Sequence, residues 1–219
     1  MKKVFLSAGH GGTDPGAVAV ANRLKEKDIN LQVLLACKSE LERHNVIVVC
    51  SRIKDEDDPV QQEVKEANAS NADIAISFHA NAGGGDGFEA FYYTTDAGGK
   101  KLAQLGEKYV KLLGQNSRGC KNGNHLYWLK NTNMPSVLFE SFFLDNVNDK
   151  IIGDTVVEQK AFGVAYAKAI LEYLGIQYTP MGNNQMYQVV VGSFADKANA
   201  EKRVKELKNK GFDSFIQIK

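Results

Sequence analysis

His10 and His79 each stand just beyond or at the end of a short apolar run, Val4–Leu6 and Ile74–Phe78, and each leads into small residues. Two imidazoles delivered from one edge of a sheet begin a metal site. Zinc in a hydrolase takes three protein ligands from His, Glu, Asp or Cys and keeps a position for water. The third ligand is then a carboxylate, another imidazole or a thiolate from a separate element. Glu26 is the best placed candidate, because it opens a helical pattern soon after the glycine-rich segment that holds His10. A hydrolase also needs a group that takes the proton of the attacking water and returns it to the leaving amine. Glu140 follows the run Pro135–Phe139, where a strand end fixes it and poor solvation raises its proton affinity. Spacing alone leaves an ordinary alternative open at each position. A strand-end histidine is often satisfied locally, Glu26 at a helix start is stabilised by the dipole without a metal, and Glu140 serves equally as a loop ion-pair partner.

The elements that must position these residues follow from periodicity. Lys3–Ser7 reads as a strand leading to Gly9, His10, Gly11 and Gly12. From Glu26 to Arg43, Ile29, Val33, Cys37 and Leu41 recur at i, i+4 and form the stripe of a sheet-packing helix. Val46–Cys50 is a β-branched run suited to a strand covered on both faces. Pro59 starts a helix to about Ser70, Asp73–Phe78 is the next strand, and Phe88–Thr94 alternates as a strand. Helices follow over Gly98–Leu113 and Val157–Leu174, the latter ended by Gly175, with the short strand Val137–Phe139 between them. Strands alternating with helices predict an α/β fold, a mostly parallel twisted sheet with helices on both faces, over residues 1–176. Ligands collect beyond the carboxyl ends of such strands, where His10, His79 and Glu140 fall. Residues 177–185 lack periodicity and read as a linker. Residues 186–219 read as a small β-α-β module, with strands over 186–191 and 212–218 around a basic helix, Lys197–Lys210.

Other residues carry weaker signals. Asn81, Asn124, His125, Trp128 and Lys130 are candidates for substrate or loop contacts, with Trp128 and Tyr127 equally suited to a core that fixes the loop. Arg52 is expected to pair with Asp55 or Asp58, and His44 to face solvent at a helix end. Gly11 and Gly12 are not followed by a Lys-Ser/Thr pair, which speaks against a nucleotide loop. Cys37, Cys50 and Cys120 lack metal-type spacing and read as free thiols.

A formal net charge of +1 gives no footprint for nucleic acid. No run approaches the roughly 20 apolar residues that cross a bilayer, so no membrane partner is expected. The start MKKVFLSAGH is too short in apolar residues for a signal peptide. The expectation is synthesis in the cytoplasm, so that any substrate outside the membrane is reached by some other route.

Five ordered segments carry a resemblance: SAGHGGTDPGA at 7–17, LKEKDINL at 24–31, SRIKD at 51–55, SFHAN at 77–81 and MPSVLFESFFLDN at 134–146. Together they resemble the zinc-dependent N-acetylmuramoyl-L-alanine amidases, over about residues 1–175. The resemblance implies one zinc ion per chain on His10, Glu26 and His79, a catalytic Glu140, and cleavage of the amide between the lactyl group of N-acetylmuramic acid and L-alanine in peptidoglycan. Ser7 and Ala8 stand where an aspartate and a proline or alanine are commoner, which implies altered support of His10. Phe142 replaces a usual glycine, which implies a bulkier loop after Glu140 and a different substrate choice. Residues 186–219 resemble the first half of a SPOR domain, implying peptidoglycan binding or self-association through an incomplete module. Rival readings are a wall-binding protein without catalysis and a zinc peptidase cutting within the stem peptide.

Overall fold

In the computed structural model, residues 1–19, 23–180, 192–211 and 216 are described, together with all side chains among them except those of residues 150 and 151. The elements in chain order are β1 (Lys3–Ala8), β2 (Val18–Ala19), β3 (Leu24–Lys25), α1 (Glu26–Arg43), β4 (Ile47–Cys50), α2 (Val60–Ser70), β5 (Ile74–Asn81), β6 (Phe88–Tyr92), α3 (Ala97–Lys111), β7 (Ser117–Asn122), α4 (Tyr127–Asn131), β8 (Ser136–Phe143), α5 (Val147–Gly153), α6 (Val156–Leu174) and α7 (Lys197–Asn209). The chain divides into two compact units, Met1–Thr179 and Pro180–Lys219. In the second, α7 is capped by Asp196, whose carboxylate accepts from the Ala198 and Asn199 amides. The strand expected over 186–191, and that over 212–218 apart from residue 216, lie outside the described residues.

Six strands form one sheet in the order β4-β1-β5-β8-β6-β7. The first four are parallel, as the apolar runs predict, while β6 is antiparallel to β8 and β7 parallel to β6. The carboxyl ends of β1, β5 and β8 therefore share an edge with the amino ends of β6 and β7.

Helices α1, α3 and α6 cover one face, burying Leu6, Ile76, Phe78, Phe139 and Tyr166. Phe139 stacks on Tyr166 with centroids 4.5 Å apart, and Phe78 and Phe88 join the same aromatic block. Helix α6 is set by a Thr155–Glu158 capping box and ended by Gly175 in the left-handed region. The other face has a thinner cover, α2 and α4, over Phe5, Ala75, Trp128 and Leu138.

Two β-bulges interrupt the two-residue alternation at the site edge. His79 pairs with Glu140 but Asn81 pairs with Phe143, so Ser141 and Phe142 together oppose Ala80. Phe88 pairs with Ser117 but Ala90 pairs with Cys120, so Arg118 and Gly119 together oppose Glu89. An extra residue re-aims the side chains beyond it. Phe142 turns into the helical layer, 5.5 Å from Phe162, and is fully buried. That position corrects the expectation of a bulkier loop, since the ring is accommodated inside. Gly153 makes the room, as a Cβ there would lie 2.5 Å from Phe142 Cζ.

Candidate active site

Glu26 opens α1 and is nearly buried, with its Oε1 2.9 Å from His79 Nδ1 and 3.3 Å from His10 Nε2. The Ala80 amide donates to the same oxygen at 3.2 Å, and the Ala17 amide donates to Oε2 at 2.8 Å. Each imidazole is held from its other side. His10 Nδ1 lies 2.8 Å from Asp14 Oδ2, and His79 Nε2 lies 3.1 Å from Ser77 Oγ. Asn30 Nδ2 donates to the Gly9 carbonyl at 3.0 Å and fixes the turn that carries His10. Gly9 is required by close approach, because a Cβ there would stand 2.1 Å from His79 Cε1.

Ligand-capable atoms of His10, Glu26 and His79 all lie within 4.8 Å of one another. Two nitrogens and a carboxylate oxygen at that separation suit a borderline-soft divalent cation. The carboxylate and the two imidazoles perturb one another strongly. Burial alone would push the Glu26 carboxyl up, but hydrogen bonds from His10 and His79 hold it far below the usual carboxylate range. The hydrogen bond to Glu26 raises His10 to about 9 against the opposing effect of burial. His79 is lowered by burial but raised on balance by Glu26.

Glu140 sits next to His79 across the β5–β8 pair and next to Glu89 across the β8–β6 pair. The strand continues to Phe143, so Glu140 is gripped on both sides by sheet and not, as expected, at a strand end. Its Oε2 is buried and has no hydrogen-bond partner among the described residues. Burial pushes its carboxyl up to about 7, with His79 opposing.

The other candidates are scattered. Asn81 is close by, donating to Glu89 Oε2 at 3.3 Å and accepting from the Ala82 amide. Because β7 runs in reverse, Asn124, His125, Trp128 and Lys130, the candidates for substrate or loop contacts, arrive at the opposite edge of the sheet from Glu140. There Asn124 Oδ1 accepts from the Thr94 amide at 2.8 Å, His125 meets the Phe91 ring edge-on, Trp128 is buried against Phe5, and Lys130 is exposed.

Arg52 is only 2 % exposed and donates to the carbonyls of Ala8, Lys27 and Lys54 at 2.9, 2.8 and 3.2 Å. No carboxylate among the described residues forms the ion pair expected for it; Asp55 takes Lys27 instead, at 2.7 Å. His44 is a clasp and not a solvent-facing residue, accepting from the Thr179 amide and stacking on Tyr178. All three cysteines are free, and burial raises their thiols. Spacing alone does not mark Asp14 as a partner of His10. Its signal lies in TDPGA, four residues after His10.

An open cluster of three metal-capable ligands beside an unsatisfied carboxyl is the equipment of a hydrolase working through a bound cation. The particular hydrolase follows from likeness to known proteins. The family description "N-acetylmuramoyl-L-alanine amidase" matches residues 4–172, and the chain belongs to that family. The SPOR domain matches residues 165–218. Amidase CwlM of Bacillus licheniformis is 34 % identical over 99 % of this chain and 85 % of its own length. The sporulation-specific N-acetylmuramoyl-L-alanine amidase of Bacillus subtilis is 32 % identical over 100 % and 86 %. Among solved structures, the catalytic domain of CwlV from Bacillus (Paenibacillus) polymyxa var. colistinus superposes with a TM-score of 0.75 at 32 % identity, covering 81 % of this chain and all of that one.

Proposed function

We propose that this chain, an N-acetylmuramoyl-L-alanine amidase, cleaves peptidoglycan between the lactyl group and L-alanine with one zinc ion on His10, Glu26 and His79 and with Glu140 as its acid-base residue. The observation that carries this reading is the buried, partnerless Glu140 oxygen beside the ligand cluster. Bound there, zinc supplies a Lewis acid that polarises the amide carbonyl and acidifies water. Glu140 takes the proton of the attacking water and returns it to the departing alanine nitrogen. The partial desolvation that raises its carboxyl suits both transfers, because a general base works best with a proton affinity near the operating pH. Asp14 and Ser77 keep the two imidazoles oriented and fix their tautomers.

Digestion of purified peptidoglycan by zinc-loaded wild type and Glu140→Gln tests the assignment. The wild type releases peptides with free L-alanine termini and lactyl-bearing glycan, while the variant binds zinc but turns over on the order of 10³-fold more slowly. Near-wild-type turnover by the variant would remove Glu140 from the mechanism, and new termini inside the peptide would make the enzyme a peptidase. The SPOR match supports a second contact with peptidoglycan through the C-terminal segment. Release to the wall by lysis or a holin-type pore completes the proposed setting.

A further inference from the structure

At the edge that carries Glu140, β7 brings up two cations around one buried carboxylate. Glu89 is 4 % exposed, and its Oε1 accepts from both Arg118 Nε and Lys121 Nζ at 2.5 Å, while Oε2 accepts from Asn81. One cation would neutralise Glu89, so the cluster keeps an excess positive charge. Both basic side chains stay open to solvent, 43 % for Arg118 and 34 % for Lys121. The Arg118 guanidinium reaches back across β6 and stands over the Phe143 ring, 5.2 Å from its centroid. Its two terminal nitrogens have no hydrogen-bond partner among the described residues. Both bulges serve this placement, since one puts Arg118 opposite Glu89 and the other turns Phe143 toward the site face.

We propose that Arg118 and Lys121 form a specificity subsite for a carboxylate of the stem peptide, on the leaving side of the scissile amide. This rests on the reading that cleavage occurs beside Glu140. A guanidinium with two parallel free N–H groups matches a carboxylate bidentately, and one carboxylate cancels the surplus charge. Phe143 lies three residues along β8 from Glu140, about 10 Å at strand rise. An extended peptide covers that distance in about three residues, and the side chain of Arg118 shortens the span. The carboxylate recognised therefore lies within the first three residues of the released peptide, and the residue that follows L-alanine is the first to test.

The test is calorimetric binding to the zinc-loaded full chain of L-Ala-D-Glu and L-Ala-D-isoglutamine, each capped as the methylamide at its γ-carboxyl so that only the first carries a free carboxylate. The wild type should bind the acid about 10- to 100-fold more tightly, and Arg118→Gln and Lys121→Gln should each erase most of that preference. Equal binding of the two dipeptides by the wild type overturns the subsite without recourse to any variant. A preference that persists in folded Arg118→Gln and folded Lys121→Gln overturns it as well. Hydrolysis of the matching muramyl dipeptides adds a second readout, with Arg118→Gln raising KM for the acid substrate and leaving kcat within about twofold. Preference in binding without cleavage by the wild type would sustain the subsite and sink the catalytic reading; cleavage without preference would do the reverse.

Discussion

The two faces of the central sheet are built from the same strands yet follow opposite rules. Toward α1, α3 and α6, every inward residue of β1, β5 and β8 down to the site edge is apolar or hydrogen-bonded, as Ser141 is to the Tyr166 hydroxyl at 2.9 Å. Toward α2 and α4 the apolar layer of Phe5, Ala75 and Leu138 gives way to Ser7, Ser77, His79, Glu140 and Glu89 as the site edge approaches. One face holds the sheet together, and the other can then carry desolvated ionisable groups whose burial opposes folding. Concentrating charge at one strand edge confines that cost to a few residues.

Neighbouring residues of β8 give the largest contrast. Glu140→Gln should lower turnover on the order of 10³-fold with little change in melting temperature. Phe139→Ala, one residue away on the other face, should cost about 3–5 kcal/mol of stability in denaturant titration while sparing turnover per folded molecule. A variant pair in which both properties moved together would break the division. Next in size is Arg52→Ala, which strips donors from the carbonyls of Ala8 and Lys27 near the His10 loop. About 3 kcal/mol should be lost, together with weakened zinc affinity, measurable by thermal melts with and without metal.

The smallest effect is on pH dependence. His10 in the metal-free chain is raised from 6.5 to about 9. Its contribution to stability is therefore complete below pH 6.5 and disappears as the pH rises through about 9. The metal-free chain should lose on the order of 1–2 kcal/mol across that window. If zinc binds at this cluster as proposed, it displaces the His10 proton, so calorimetry at pH 7.5 in buffers of different ionisation enthalpy should detect proton release. No release there would show that Glu26 does not hold His10 protonated.

Much of this arrangement is legible in the sequence where period and motif agree. The stripe from Ile29 to Leu41, the apolar runs of β1 and β5, and the four residues His10, Glu26, His79 and Glu140 stand out without coordinates. The Ser117–Asn122 strand does not, because SRGCKN is a polar edge strand with no alternating apolar face. Missing it also hides the reversal of β6 and β7, and with it the reason that Trp128 and Lys130 end up far from Glu140. The bulges are equally silent, since a two-residue period carries no sign of where it slips. The partners of Arg52 are not legible, because nearby carboxylates are visible in sequence and backbone carbonyls are not.

The bulge in β8 leaves Phe142 and Phe143 on opposite sides of one rigid peptide plane. Phe142 is wedged between Gly153 and Phe162, and Phe143 carries the guanidinium of Arg118. Consecutive residues of β8 thus serve the buried helical layer and the charge cluster at the sheet edge. The packing of the buried core and the seat of the solvent-facing Arg118 therefore share one short stretch of backbone.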